Sequence, residues 1–272
     1  IEQSDIDRFP YLSYLDEFLS NYMSIFELKC CLSSLEEYNV DYYLIDGSIY
    51  GDLQNPFPKG VETSAKAKKE LISATLNDFE EMVKNPSDKS VYSPKLFNKY
   101  FKIYQEHKYP YTLYLTTIER LVVLKEILKN PRKMIAISKS SSNNDIFHSN
   151  MPDIAIFDKY TQKEGISKVI RKKVSKDINT TFPVFDEFFK DLKFTIFYLR
   201  LADYKNVLKV ELPYEASMAE IEEIASKLKK FSTNGYPYLL KKAHNDVVIS
   251  DKNIKELINI AKVREKSGRE ML

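Results

Sequence analysis

Apolar and polar positions along the chain follow two rhythms, one helical and one extended. Over residues 11–38, Leu15, Phe18, Leu19, Tyr22, Phe26 and Cys30 recur at spacings of three and four, which predicts a long amphipathic helix. Residues 40–48 (VDYYLIDGS) read as a buried strand, from Tyr42 to Ile45, that runs into an acidic turn at Asp46 and Gly47. A proline-bearing loop over 51–60 leads to helical patterns at 61–84, 93–107 and 117–130. Glu119, in the last of these, reads as a solvated charge. This helical insertion, at about 61–130, shows no chemistry of its own.

The extended rhythm returns at 133–138 (KMIAIS), a short buried strand ending at Lys139 and a run of serines. Residues 153–157 and 165–174 read as further strands. The second carries Lys168, Arg171, Lys172 and Lys173, which suit a phosphate backbone or a charged edge strand equally well. Residues 194–201 (FTIFYLRL) and 207–212 (VLKVEL) read as a hairpin, in which Arg200 requires a partner or an exposed end. A helix over 217–230 opens on Ser217 with Glu220 three residues later, a capping-box spacing. Pro237 reads as the first residue of another helix, with Leu240 and His244 on one face. A last helix is predicted over 251–263, with a charged tail from 264.

The 272 residues are 43% hydrophobic and 29% charged, ordinary proportions for a globular chain. A net charge of +2 gives no general basic field, so contact with nucleic acid would need a local surface. The cysteines Cys30 and Cys31 are adjacent on a predicted helix and point to different sides. They suit a reducing cytoplasm rather than a disulfide framework. No apolar run reaches the length of a membrane span.

Four places carry candidate chemistry. Asp46, at a strand end before Gly47 and Ser48, suits a hard divalent cation; a plain Asp-Gly turn explains the same residues equally well. Glu27 lies among Met23, Cys30 and Cys31, either partly buried and in need of a partner or metal, or on the helix surface. Lys139, at a strand end, suits the offset of phosphate charge, although a surface lysine is the commoner case. Tyr236, Lys241 and His244 gather near one helix start, where they suit phosphate binding or proton transfer. A lone histidine beside apolar residues is more often structural.

Taken in order, IFEL around Glu27, LIDGS at Asp46, ISKSS at Lys139, DIFHSNMPDIAIFDKYTQKEGISK, FTIFYLRL and GYPYLLKKAHNDVVIS resemble the archaeal NurA nuclease family. The resemblance covers residues 22–50, and then 133 to the last helix. It implies an α/β fold in a single domain over 1–272: an RNase H-like mixed sheet flanked by helices, with a helical insertion. It implies a manganese-dependent deoxyribonuclease, with magnesium as the alternative metal, acting on single- and double-stranded DNA ends. It also implies a homodimer working beside a HerA-type hexameric helicase in the resection of double-strand breaks. Asp46 and Glu27 match the family's metal-holding acids, Tyr236 and His244 its functional terminal pair, and Lys139 a lysine at the same strand end. The expectation is therefore that His244 shares a cleft with Asp46 and Glu27.

The sequence departs from the family pattern in one respect. The family carries an earlier strand that ends in an acidic Asp-Gly turn. Asp5 and Asp7 stand in SDIDRFP, which lacks the apolar strand and the glycine. The first residue is Ile rather than Met, and the expectation is that this strand lies upstream of Ile1. The alternative is a NurA-like subunit that binds the helicase or DNA without cutting. A third reading is an RNase H-like structural domain with no DNA role.

Overall fold

A computed structural model of the protein describes residues 12–54, 65–100, 108–174 and 188–247. Helix α1 (Leu12–Glu37) leads into strand β1 (Tyr43–Asp46) and the short helix α2 (Ile49–Gln54). Helices α3 (Ala65–Val83), α4 (Ser93–Tyr100) and α5 (Lys108–Ile127) precede strand β2 (Met134–Ser138). Helix α6 (Asp153–Tyr160) and strands β3 (Gly165–Ile166), β4 (Ile170–Lys173), β5 (Lys193–Arg200) and β6 (Leu208–Leu212) follow. Helix α7 (Met218–Lys230), the two-residue strands β7 (Ser232–Thr233) and β8 (Tyr236–Pro237), and helix α8 (Tyr238–Val247) complete the described chain.

The main sheet runs β1-β2-β6-β5-β3, with β4 also on β5. β1 and β2 are parallel, with Asp46 opposite Ile137, and the other pairings are antiparallel. A parallel pair needs a crossover, and helices α2 to α5 lie within the connection between β1 and β2. The result is a mixed α/β sheet flanked by helices. Both faces of its central strands are covered, so β2 is an almost wholly apolar run and even Lys209 and Glu211 of β6 are buried. On one face Phe194 and Ile196 of β5 pack with Tyr50, Leu53, Phe79, Ile118 and Val122. On the other, Phe197 and Leu199 pack with Ile135, Ile137 and Val210 and with Ile221, Ile224 and Leu228 of α7.

Several elements differ from the sequence reading. Residues 153–157 form a helix, not a strand. A short apolar run does not by itself separate the two, and Pro152 stands at the N-cap, where its missing N–H costs nothing. Residues 165–174 form two short strands rather than one. β1 lies at the sheet edge and is half-buried, not a core strand, among the described residues. On α1 the buried face is Phe18, Ile25 and Leu32, while Phe26 is exposed, because apolar residues occupy more than one side of this helix. Pro237 lies in β8, and the helix starts one residue later.

Glu119 is fully buried, not solvated. It binds Lys29 of α1 at 2.6 Å and accepts the backbone N–H groups of Tyr92 and Ser93, at the start of α4. A carboxylate at a helix N-terminus with a lysine partner is satisfied in the core, which periodicity alone does not reveal. Arg200 finds partners at the end of α6, where it donates to the Thr161 carbonyl at 2.9 Å and the Phe157 carbonyl at 3.3 Å. Ser217 and Glu220 form the expected capping box. The predicted helix at 251–263, the tail from 264, Asp5 and Asp7 lie outside the described residues.

Candidate active site

Five elements, α1, β1, α2, α5 and α8, converge at the end of the β1 edge. β1 carries Asp46 to its carboxyl end, and Gly47 turns the chain there with φ +144°, a conformation that side chains rarely adopt. The Gly47 N–H donates to the Ile137 carbonyl at 3.0 Å, which continues the parallel pairing into the turn. Helix α1 contributes Ser24, Glu27, Leu28 and Cys31 at helical spacing, α5 contributes Arg120, Leu121 and Leu124, and α8 contributes Leu240, Ala243, His244 and Val247. Together with β1 they enclose a cleft of about 470 Å³ that contains Glu27, Asp46 and His244.

The turn after Asp46 is fixed from below. Ser48 Oγ donates to Glu211 Oε1 at 2.5 Å, and the Tyr50 N–H donates to Glu211 Oε2 at 2.9 Å. The same hydroxyl accepts the Gly51 N–H at 2.9 Å. Glu211 is fully buried and paired with Lys209 Nζ at 2.7 Å. Lys209 also donates to Asn143 Oδ1 at 3.2 Å. The sequence reading saw Lys209 and Glu211 only as the polar half of an alternating strand. Their burial comes from the coverage of both sheet faces, which one strand's pattern does not report.

Electrostatics ties the carboxylates together. Glu27 stands open to the cleft, yet the surrounding walls desolvate it and raise its pKa, and the neighbouring charge of Asp46 raises it further. Lys139 Nζ lies 3.5 Å from Asp46 Oδ2 and 4.5 Å from the centre of the Tyr236 ring. Burial opposes the charged form of Lys139, but Tyr236 and Asp46 outweigh it, and the ammonium pKa rises. Burial also raises the pKa of Tyr236, whose hydroxyl lies close to Lys139 and Asp46 but makes no well-formed hydrogen bond among the described residues.

Glu27, Asp46 and His244 thus share one cleft, and Lys139 and Tyr236 stand beside Asp46. Lys241 does not join them; it borders a separate depression with Thr233 and Asp246, on another side of α8. In the basic stretch near β4, Arg171 approaches Glu215, Lys172 pairs with Asp145 and Lys173 with Asp191, which favours the charged-edge reading. Sequence reasoning missed Arg120 and Asp52, which also line the cleft. The long contact between α1 and α5 brings Arg120 there, and its position between buried Ile118 and Leu121 gave no local sign of a cleft.

The donors present suit a hard cation. Asp46 and Glu27 offer oxygen ligands, and two like charges held close lack compensation from each other. The Cys31 thiol in the same wall is pushed up to about 12 by burial and by Cys30, so it remains protonated and does not favour a soft metal. No group of three or more acidic, His or Cys ligands forms among the described residues. Magnesium-like cations are commonly held by one or two carboxylates together with waters and substrate phosphates, so this pair fits such an ion.

Comparisons with known proteins bear on the family and the fold. A NurA domain model matches residues 2–249, the helical middle included. A probable DNA double-strand break repair nuclease NurA of Methanocaldococcus jannaschii is 30% identical over 95% of this chain and 68% of its own length. The DNA double-strand break repair nuclease NurA of Sulfurisphaera tokodaii is 31% identical over 90% of this chain and 66% of its own. The chain thus spans about two thirds of the length of these relatives. The crystal structure of the NurA nuclease from Sulfolobus solfataricus superposes with a TM-score of 0.65 at 24% identity, over 92% of this chain and 67% of that one. A crystal structure of NurA bound to dAMP and manganese superposes at 0.61 and 15% identity, over 95% of this chain and 79% of that one. With a domain match that runs through every described element, the chain belongs to the NurA family.

Proposed function

We propose that the protein is a divalent-cation-dependent DNA nuclease whose centre is the cleft at Asp46. The observation that carries the reading is the convergence of Asp46, Glu27 and His244 from three separate elements on one cleft, with Lys139 at 3.5 Å from Asp46. Relatives named as DNA double-strand break repair nucleases, and a neighbour bound to dAMP and manganese, support it.

Asp46 and Glu27 would hold the cation, manganese or magnesium, whose charge would offset the repulsion between the two carboxylates. When bound, such an ion lowers the pKa of an attacking water and neutralises charge on a phosphodiester. The remaining work falls to side chains. Lys139 offsets negative charge beside Asp46, and its raised pKa keeps it cationic at neutral pH. The exposed His244 imidazole positions the phosphate or protonates the departing oxygen. Tyr236 holds a buried hydroxyl in reserve for a hydrogen bond that only substrate completes.

The family likeness extends the proposal to DNA ends as substrate, a HerA-type hexameric helicase as partner and a homodimer as the working form. Exposed Met23, Phe26 and Tyr38 on and just after α1 supply apolar surface that suits a subunit contact. Free thiols at Cys30 and Cys31 suit a cytoplasmic setting, and no described helix is long and apolar enough to cross a membrane.

The second reading is a subunit that binds helicase or DNA without cutting. End-labelled DNA incubated with the chain in manganese, magnesium or chelator separates the two. Metal-dependent cleavage supports the nuclease. Retention of DNA without cleavage supports the binding subunit.

A further inference from the structure

Arg120 is the sole Lys or Arg among the described residues lining the cleft. Its side chain is only 13% exposed, and its nearest carboxylate oxygen, Asp52 Oδ2, is 3.9 Å away. A charge-assisted hydrogen bond is about an ångström shorter. Asp52 is itself 55% exposed, and the guanidinium makes no hydrogen bond among the described residues. Glu17 of α1 feels the same positive charge, which opposes the effect of burial on its carboxyl. A guanidinium on a largely covered side chain without a close acceptor has unused donors on a cleft wall.

The rest of the cleft explains what those donors suit. Glu27, Asp46 and Asp52 would repel a polyanionic strand. Lys139 offsets that repulsion beside Asp46, but the α5 wall has only Arg120. The planar fork of arginine matches two oxygens of a phosphate, which a lysine ammonium does not.

We propose that Arg120 binds a backbone phosphate of the nucleic-acid strand lying in the cleft, beside the one at Asp46 and Glu27. This assignment rests on the nuclease reading and names the residue on the α5 wall that places the strand. The competing role is a structural clasp in which Arg120 joins α1 and α2 to α5 through Glu17 and Asp52.

Fluorescence anisotropy of a labelled single-stranded oligonucleotide, with calcium as the metal, tests it on the full chain. Arg120→Gln weakens binding about tenfold or more. It also reduces the slope of log affinity against log salt by about 0.7. Arg120→Lys keeps the slope but loses part of the affinity, because the fork is gone. Asp52→Asn tightens binding, since a competing negative charge leaves. Unchanged affinity and slope in Arg120→Gln would overturn the proposal. So would equal weakening in Arg120→Lys and Asp52→Asn, the mark of a clasp, and this pair decides the matter if Arg120→Gln fails to fold. A wild-type chain that retains no oligonucleotide overturns the nuclease reading and this assignment with it. A wild type that binds, with indifferent Arg120 variants, overturns this assignment alone.

Discussion

The carboxylate of Glu211, buried in the sheet, holds the hydroxyl of Ser48 at 2.5 Å, two residues beyond Asp46. The candidate metal ligand at the edge strand is therefore positioned by a charge in the interior. That charge is tolerated because Lys209, on the same face of β6, lies 2.7 Å away.

Removing one partner exposes this dependence. Lys209→Met leaves Glu211 buried and unpaired and is expected to cost about 3–5 kcal/mol of stability in urea denaturation. The double variant Lys209→Met, Glu211→Met restores much of that loss, because two well-packed apolar groups replace a pair. A cost under about 1 kcal/mol for Lys209→Met would show that the pair does not hold the turn.

Glu27 makes a prediction with an unusual sign. Its folded pKa is raised, by burial first and by Asp46 second. The folded chain then binds this proton more tightly than the unfolded chain. The stability it contributes is full below the ordinary glutamate pKa of 4.5 and is lost as pH rises through the higher folded value. At neutral pH the ionised carboxylate therefore weakens the fold. Glu27→Gln is expected to raise the melting temperature at pH 7, with the advantage vanishing in acid. Manganese should raise the melting temperature of the wild type more than that of the variant. A Glu27→Gln chain that melts lower at pH 7 contradicts this account of the cleft.

His244 is exposed on α8, so little of the core depends on it. His244→Gln should reduce cleavage about a hundredfold and leave the melting curve almost unmoved. Loss of stability with cleavage per folded molecule intact would assign His244 a structural role instead.

Tyr236 carries a buried hydroxyl that lies close to Lys139 and Asp46 without a well-formed hydrogen bond among the described residues. Deleting an unsatisfied buried polar group does not destabilise a fold. Tyr236→Phe should match or exceed the wild type in thermal stability while cleaving more slowly. A clear drop in melting temperature would show that the hydroxyl has a structural bond.

Much of this was legible in the sequence for a physical reason. The β1 turn, the β5–β6 hairpin and the capping box at Ser217 are written in local chemistry: a glycine after the strand's acid, two apolar-rich runs of which the second alternates with Lys209 and Glu211, and a Ser-Glu spacing of three. The cleft residues Asp46, Glu27 and His244 stood out because their motifs resemble those of a family. What stayed hidden depends on residues far apart in the chain. Glu119 and Lys29 are 90 positions apart, and neither reveals its partner. Arg120 faces the cleft because of how α5 lies on α1. Residues 153–157 fit either rhythm because the apolar stretch after Asp153 is only four residues long, and Pro152 is the clue that favours the helix.

The central claim is that Asp46 holds the cation on which DNA cleavage depends. Its most direct test is the rate of oligonucleotide cleavage in manganese by wild-type and Asp46→Asn chains of equal melting temperature. The account predicts metal-dependent cleavage by the wild type and loss of nearly all of it in the variant. Cleavage in the folded variant at the wild-type rate would contradict it.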